Sequence, residues 1–172
     1  MFPNHTKILA LDDMPGMRQL VKGGLKQLGF KKITLADNGK AGAQILVDAL
    51  KTDEPFNLVL SDWNMPDGTG IDLLQLIRSH PELKDLPFLL VTAEGEFRQV
   101  KKAMELRVTE FVVKPFTQET LKAKLENAWK KVGMKLIFPS KELPAGAEKE
   151  EGTATGLQKP APLKPAPKKP GT

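Results

Sequence analysis

The sequence contains no cysteine, which excludes a disulfide framework and any metal site with thiolate ligands. It also contains no apolar run approaching the roughly 20 residues that a membrane-spanning helix needs. The opening stretch MFPNHTKILALDD has no long apolar segment ending in small residues, so we expect no secretory signal. We therefore predict a cytoplasmic protein without membrane insertion. The phosphate-loop motif GxxxxGK[ST] is absent as well, which argues against ATP binding through such a loop.

The charge distribution does not indicate a nucleic-acid-binding protein. The formal net charge is +5, and residues 137–172 hold six Lys and four Glu, which leaves +3 for residues 1–136. Neither part is basic enough to suggest direct DNA binding. Residues 137–172 also hold seven of the 14 prolines and show no apolar periodicity. We predict a folded domain over 1–136 and a disordered Pro/Lys-rich tail over 137–172.

Short apolar runs alternate with longer segments of helical periodicity through the first 136 residues. Five strands are predicted at Ile8–Leu11, Ile33–Ala36, Leu58–Leu60, Phe88–Val91 and Phe111–Val113. The helices between and after them are marked by Met17 to Leu28, Ala41–Leu50, Ile71–Arg78, Phe97–Leu106 and Leu121 to Val132. This alternation predicts an α/β fold with a doubly wound, five-stranded parallel sheet and five helices. The flavodoxin-like strand order 2-1-3-4-5 is expected.

Helical spacing also predicts which side chains face the core. Leu20 shares the apolar face of the first helix with Met17 and Val21, and Met104 is placed inward with Ala103 on the fourth helix. Trp63 adjoins the end of the third strand, where we expect it to lie partly exposed at the rim of a site.

Polar residues stand where the predicted strands end. Asp12 and Asp13 follow the first strand, Asp62 the third, Thr92 the fourth and Lys114 the fifth. Because the carboxyl ends of parallel strands form one edge of the sheet, and ligands bind there, we expect these five side chains to converge.

The expected chemistry follows from these residue types. Three close carboxylates repel one another and raise one another's pKa, and a divalent cation relieves that repulsion. Oxygen ligands without His or Cys favour Mg²⁺ or Mn²⁺ over zinc. A carboxylate can act as a nucleophile toward phosphorus. Lys114 and Thr92 would then bind phosphoryl oxygens, the lysine by charge and the threonine by its hydroxyl.

Four segments carry a specific resemblance. LALDD, VLSDWNMPDGTG, LLVTAE and FVVKPF resemble the response-regulator receiver family, and most of all its single-domain chemotaxis regulators of the CheY kind. The resemblance runs from about Lys7 to about Met134. It implies that Asp62 is the phosphoacceptor and that Asp12 and Asp13 are the acidic metal pair, with Asp13 the direct ligand. The backbone carbonyl of Asn64 is implied as a further metal ligand.

The resemblance also assigns a switch. It implies that Thr92 is the switch hydroxyl, that Lys114 is the phosphate-binding lysine in a cis bond to Pro115, and that Phe111 is the switch aromatic. The position of Phe111 commonly holds Tyr in chemotaxis regulators, so this chain offers no hydroxyl there. Glu94 and Asn64 occupy positions that tune the lifetime of the acyl phosphate in the family.

The function implied is that of a phosphoacceptor switch rather than an enzyme, one that assists its own phosphorylation and slowly dephosphorylates itself. A histidine kinase would donate the phosphoryl group, and a target protein would bind the face made by the fourth helix, fifth strand and fifth helix. One alternative is an aspartate-nucleophile phosphatase of the haloacid dehalogenase kind, although Asn64 stands where its general acid is required. Another is a scaffold or tethering protein acting through the basic, Pro-rich tail.

Overall fold

A computed structural model describes residues 1–93 and 97–133 of the chain. A parallel sheet forms its centre, and its strands are ordered β2-β1-β3-β4-β5. The strands are β1 Lys7–Leu11, β2 Lys32–Ala36, β3 Leu58–Asp62, β4 Phe88–Ala93 and β5 Glu110–Lys114. This order confirms the predicted flavodoxin-like topology.

Helices follow each strand and cover both faces of the sheet. They are α1 Pro15–Gln27, α2 Gly39–Leu50, α3 Gly70–Ser79, α4 Phe97–Glu105 and α5 Gln118–Val132. Successive side chains of a strand point to opposite faces, so the core has two halves. In β1, Leu9 and Leu11 pack with residues of α2, α3 and α4, whereas Ile8 and Ala10 pack with residues of α1 and α5.

Side-chain caps set where three of the helices begin. The Asn38 side chain accepts a hydrogen bond from the backbone N–H of Ala41, at the start of α2. Thr69 and Asp72 form a reciprocal capping box at the start of α3. Thr117 caps α5, because its hydroxyl accepts a hydrogen bond from the N–H of Thr120. Each cap satisfies backbone donors that the first helical turn leaves without partners.

The strands extend farther than the apolar runs. Asp62, Thr92 and Lys114 are therefore residues of β3, β4 and β5 themselves, not of the loops behind them. The hydrogen-bonding ladder continues through these polar residues because backbone pairing does not depend on the polarity of the side chain. These three side chains consequently project from sheet backbone, whereas Asp12 and Asp13 lie just beyond the end of β1.

Two core placements predicted from helical spacing are wrong. Leu20 is 56% exposed and Met104 is 61% exposed. Both lie at the margin of an apolar stripe, where helical periodicity does not say how far the neighbouring layer reaches. Exposed apolar residues of this kind are ordinary in folded proteins.

Within residues 1–93 and 97–133, no helix combines the length and apolarity needed to span a membrane. The tail predicted over 137–172 lies outside the described residues.

Candidate functional site

Three carboxylates meet at the carboxyl edge of the sheet. Asp12 and Asp13 come directly after β1, and Asp62 is the last residue of the neighbouring strand β3. One carboxylate oxygen from each lies within 4.8 Å of the other two. Asp12 and Asp62 are buried, whereas Asp13 is exposed, so the cluster opens to solvent on one side.

The ammonium group of Lys114 joins two of these carboxylates. Its Nζ lies 2.7 Å from Asp12 Oδ2 and 2.8 Å from Asp62 Oδ1. The other oxygen of Asp12 accepts from the backbone N–H of Met14 at 2.9 Å. Lys114 thus supplies the positive charge that buried carboxylates require.

Burial and neighbouring charges shift the pKa of Asp62 and that of Lys114. Burial raises the pKa of Asp62, and repulsion from Asp12 adds to that rise, while Lys114 and the backbone N–H of Trp63 act against it. Burial alone would lower the pKa of Lys114, but its hydrogen bonds to Asp12 and Asp62 outweigh that effect and raise it. Lys114 therefore stays protonated, and a second cation would stabilise the charged form of Asp62, which burial and Asp12 disfavour.

The cluster fits a divalent metal ion. It offers oxygen ligands from three side chains, and one of these side chains faces solvent, which leaves room for water and phosphate oxygens. Mg²⁺ prefers this combination of few carboxylates with water and phosphate ligands. The donor set is compatible with the predicted Mg²⁺ or Mn²⁺ and unsuited to zinc.

Thr92 and Phe111 lie on the neighbouring strands. Thr92 is buried at the end of β4, and its hydroxyl donates to the carbonyl of Ala93 at 3.3 Å. Thr92 and Phe111 also line a cavity of about 230 Å³, together with Val100, Glu110, Val113 and Lys124. The cavity thus connects Thr92 with the half-buried ring of Phe111, which the family resemblance implies is the switch aromatic.

The remaining predicted residues have different outcomes. Asn64 is exposed in the loop after β3. The Lys114–Pro115 bond is cis, as predicted. Trp63 was expected at an exposed rim, but that is wrong: its side chain is 3% exposed and belongs to the core shared with α2 and α3. Glu94 lies outside the described residues.

Sequence reasoning did not single out Arg18. Its Nη1 donates to the backbone carbonyl of Asp12 at 2.7 Å and to that of Asp13 at 2.9 Å. The guanidinium therefore holds the main chain that presents both acids. A cation one turn into the helix that follows an acidic pair is the signal that could have pointed to it.

Comparison with known proteins agrees with this geometry. A family model for the response regulator receiver domain matches residues 8–126. The chain belongs to the response regulator receiver domain family.

Two relatives and one solved structure show how close the resemblance is. The chain is 44% identical over 128 residues to chemotaxis protein CheY-3 of Vibrio cholerae, covering 74% of this chain and 95% of that protein. It is 41% identical over 126 residues to chemotaxis protein CheY of Pseudomonas aeruginosa, covering 73% and 98%. The structure of chemotaxis response regulator CheY4 of Vibrio cholerae superposes with a TM-score of 0.63 at 30% identity, covering 73% and 99%.

Proposed function

We propose that this protein is a two-component response regulator of chemotaxis signalling that accepts a phosphoryl group on Asp62 from a histidine kinase. The observation that carries the proposal is the bridge of Lys114 between Asp12 and Asp62, at 2.7 and 2.8 Å. It supports the proposal because an ammonium group that could bind phosphate contacts the carboxylate that would act as the nucleophile, within an acidic cluster that would hold the metal. The chain matches two relatives along nearly their whole length, and both are named as chemotaxis proteins, which supports the biological setting.

In the transfer step, a carboxylate oxygen of Asp62 attacks the phosphorus of a phosphohistidine. The new bond is O–P, the N–P bond breaks, and its electron pair stays on the imidazole of the donor. Lys114 contacts the carboxylate before the reaction and would bind phosphoryl oxygens afterward, so its charge stabilises both states. A Mg²⁺ ion held by Asp12, Asp13, Asp62 and the Asn64 carbonyl would neutralise the charge that develops on those oxygens.

The buried threonine and the neighbouring cavity suggest how phosphorylation reaches a partner. A phosphoryl group on Asp62 offers new acceptors to the Thr92 hydroxyl, which lies at the end of the adjacent strand. Movement of Thr92 toward it would open space for the ring of Phe111 along the cavity that both residues line. The face formed by α4, β5 and α5 would then differ between the two states, and a target protein that prefers one of them would read the signal.

The experiment compares the phosphorylation of Asp62→Asn with that of the unmodified protein. Asn keeps the shape of the side chain but not its nucleophilic charge, so we expect no mass increase of a phosphoryl group on incubation with acetyl phosphate and Mg²⁺. Asp67→Asn is the matched control: Asp67 is an exposed acid of the following loop with φ 55°, a conformation that Asn tolerates. It should be labelled normally. Labelling of Asp62→Asn to the level of the unmodified protein would refute the assignment.

A further inference from the structure

The loop between β3 and α3, residues 63–69, is fastened to the start of α2 by its main chain. The backbone N–H of Gly39 donates to the carbonyl of Gly68 at 3.0 Å, and the N–H of Lys40 donates to that of Asp67 at 3.2 Å. At the other end of the loop, the N–H of Gly70 donates to the carbonyl of Trp63 at 3.0 Å. Both ends of the loop are thus held, and Asn64, Pro66 and Asp67 between them are exposed.

The contact between α2 and this loop requires glycine on both sides. A Cβ on Gly39 would lie 2.5 Å from the carbonyl oxygen of Gly68, and the atom it meets is backbone that no side-chain rotation can move away. Gly68 itself has φ +108°, a conformation that L side chains rarely adopt. A Cβ on Gly39 would therefore force the loop backbone to shift, whereas Gly68 is restricted to glycine mainly by its φ.

The contact forms at the start of α2 because backbone donors there need acceptors. The first N–H groups of a helix have no partners within the helix and carry the positive end of its dipole. The Asn38 side chain satisfies one of these donors, that of Ala41. Carbonyl groups of the loop accept hydrogen bonds from the N–H groups of Gly39 and Lys40. The start of α2 therefore orients the peptide units that end the loop.

Asn64 lies between these two fastenings. Asn64 is exposed. Of the two residues that follow it, Met65 is buried, with 6% of its surface exposed, and Pro66 is exposed. Burial of Met65 in the core holds the residue after Asn64, and the main-chain hydrogen bonds hold the two ends of the loop. A displacement of Gly68 would therefore change the path of the short segment from Met65 to Gly68, which adjoins the Asn64 carbonyl.

We propose that Gly39 and Gly68 are positioning residues for metal binding: the close contact between α2 and the loop aims the Asn64 carbonyl at the ion held by the acidic cluster. This inference rests on the proposed function, because it assumes that the cluster binds Mg²⁺. Groups that orient metal ligands without touching the metal commonly change affinity by roughly 10–100-fold when altered.

The test measures Mg²⁺ affinity of the full chain by isothermal titration calorimetry, without any phosphodonor. In Gly39→Ala the new methyl group would push Gly68 away, and we expect a dissociation constant raised roughly tenfold. Gly42→Ala is the matched control on the same helix, since its Cβ would collide with the Leu11 side chain rather than with the loop. Gly23→Ala on α1, where a Cβ meets nothing within 4 Å, controls for the change of residue type.

Urea unfolding of each variant separates a local effect from general loosening. Gly42→Ala should lose stability and keep its Mg²⁺ affinity, and Gly23→Ala should keep both. If Gly39→Ala does not fold, Gly68→Ala disturbs the same contact from the loop side and takes its place. A weakened affinity in Gly39→Ala or Gly68→Ala, with normal affinity in both controls, supports the inference.

Two results would overturn it. One is a dissociation constant for Gly39→Ala within about twofold of the unmodified protein; the other is an equal loss of affinity in Gly39→Ala and Gly42→Ala. In either case the proposed function would stand as long as Asp13→Ala weakens Mg²⁺ binding. An unmodified protein that does not bind Mg²⁺ would overturn the inference and the proposed function together.

Discussion

Replacing Lys114 with methionine should destabilise the metal-free protein and leave it strongly dependent on Mg²⁺. Methionine keeps an unbranched side chain of similar length but removes the charge and the two hydrogen bonds that the ammonium group donates. Lys114 contacts Asp12 and Asp62, whose side chains are 4% and 11% exposed. Its loss leaves two carboxylates close together in a buried site with no cation between them, and both the desolvation and the repulsion then act without compensation.

The magnitude follows from the burial of the three side chains. Removing one partner of a buried ion pair costs about 3–5 kcal/mol. The Lys114 side chain is 16% exposed, so water can partly replace it, and we expect the lower end, about 3 kcal/mol. For a folded domain of this size that corresponds to a fall of about 10 °C in melting temperature. Asp62→Asn on its own should be neutral or stabilising, because it relieves part of the repulsion.

The assay is urea unfolding followed by circular dichroism, for the unmodified protein, Lys114→Met, Asp62→Asn and the double variant, in EDTA and again in Mg²⁺. The double variant should be more stable than Lys114→Met by at least about 1 kcal/mol, the scale of coupling between residues in contact. Saturating Mg²⁺ adds about 2.7 kcal/mol at 100 times its dissociation constant, and Lys114→Met should gain more from a given concentration than the unmodified protein does. Additive single effects in EDTA, or an equal gain from Mg²⁺, would refute the reasoning.

Four further predictions concern the site and its surroundings. Asp13→Ala should weaken Mg²⁺ binding measured by calorimetry, because it removes the exposed ligand of the cluster. Alanine at Glu94 or Asn64 should change the decay rate of the acyl phosphate more than its rate of formation. The decay is measured as the loss of phosphoryl label with time. Glu110→Gln should lower stability at neutral pH and flatten its loss in acid. Burial opposes the charge of Glu110, but hydrogen bonds from the N–H of Phe111 and from Lys131 and Lys124 lower its pKa. That stabilisation is present above the unfolded pKa and disappears as pH falls through the lower folded pKa. Ending the chain after residue 138 should leave the phosphotransfer rate unchanged.

Each of these predictions has a result that would contradict it. Equal Mg²⁺ affinity with and without the Asp13 carboxylate would remove Asp13 from the metal site. Unchanged decay in both alanine variants would exclude Glu94 and Asn64 from control of the phosphoryl lifetime. Parallel pH–stability curves for the unmodified protein and Glu110→Gln would contradict the lowered pKa. A several-fold slower phosphotransfer by the shortened chain would make the tail part of the working receiver.

The acidic cluster and its lysine could be anticipated from the chain alone for a topological reason. Alternating apolar runs and amphipathic segments indicate parallel strands joined by crossover helices. In such a sheet every carboxyl end lies along one edge, so Asp12, Asp62, Thr92 and Lys114 converge there regardless of the details of packing. Residue type then indicates the chemistry, because carboxylates next to an ammonium group suit a metal ion and a phosphoryl group.

Tertiary structure was required wherever the outcome depends on how far one element reaches across another. The helical period places Leu20 and Met104 near an apolar stripe, but only the packed layers leave them exposed. Trp63 follows a polar strand end, yet its ring lies in the core beneath α2 and α3. The contact of Gly39 with Gly68 joins residues 29 positions apart through main-chain atoms, so no side-chain pattern records it. Periodicity and topology are properties of the chain, whereas burial depth and interatomic distance arise only when the layers close on one another.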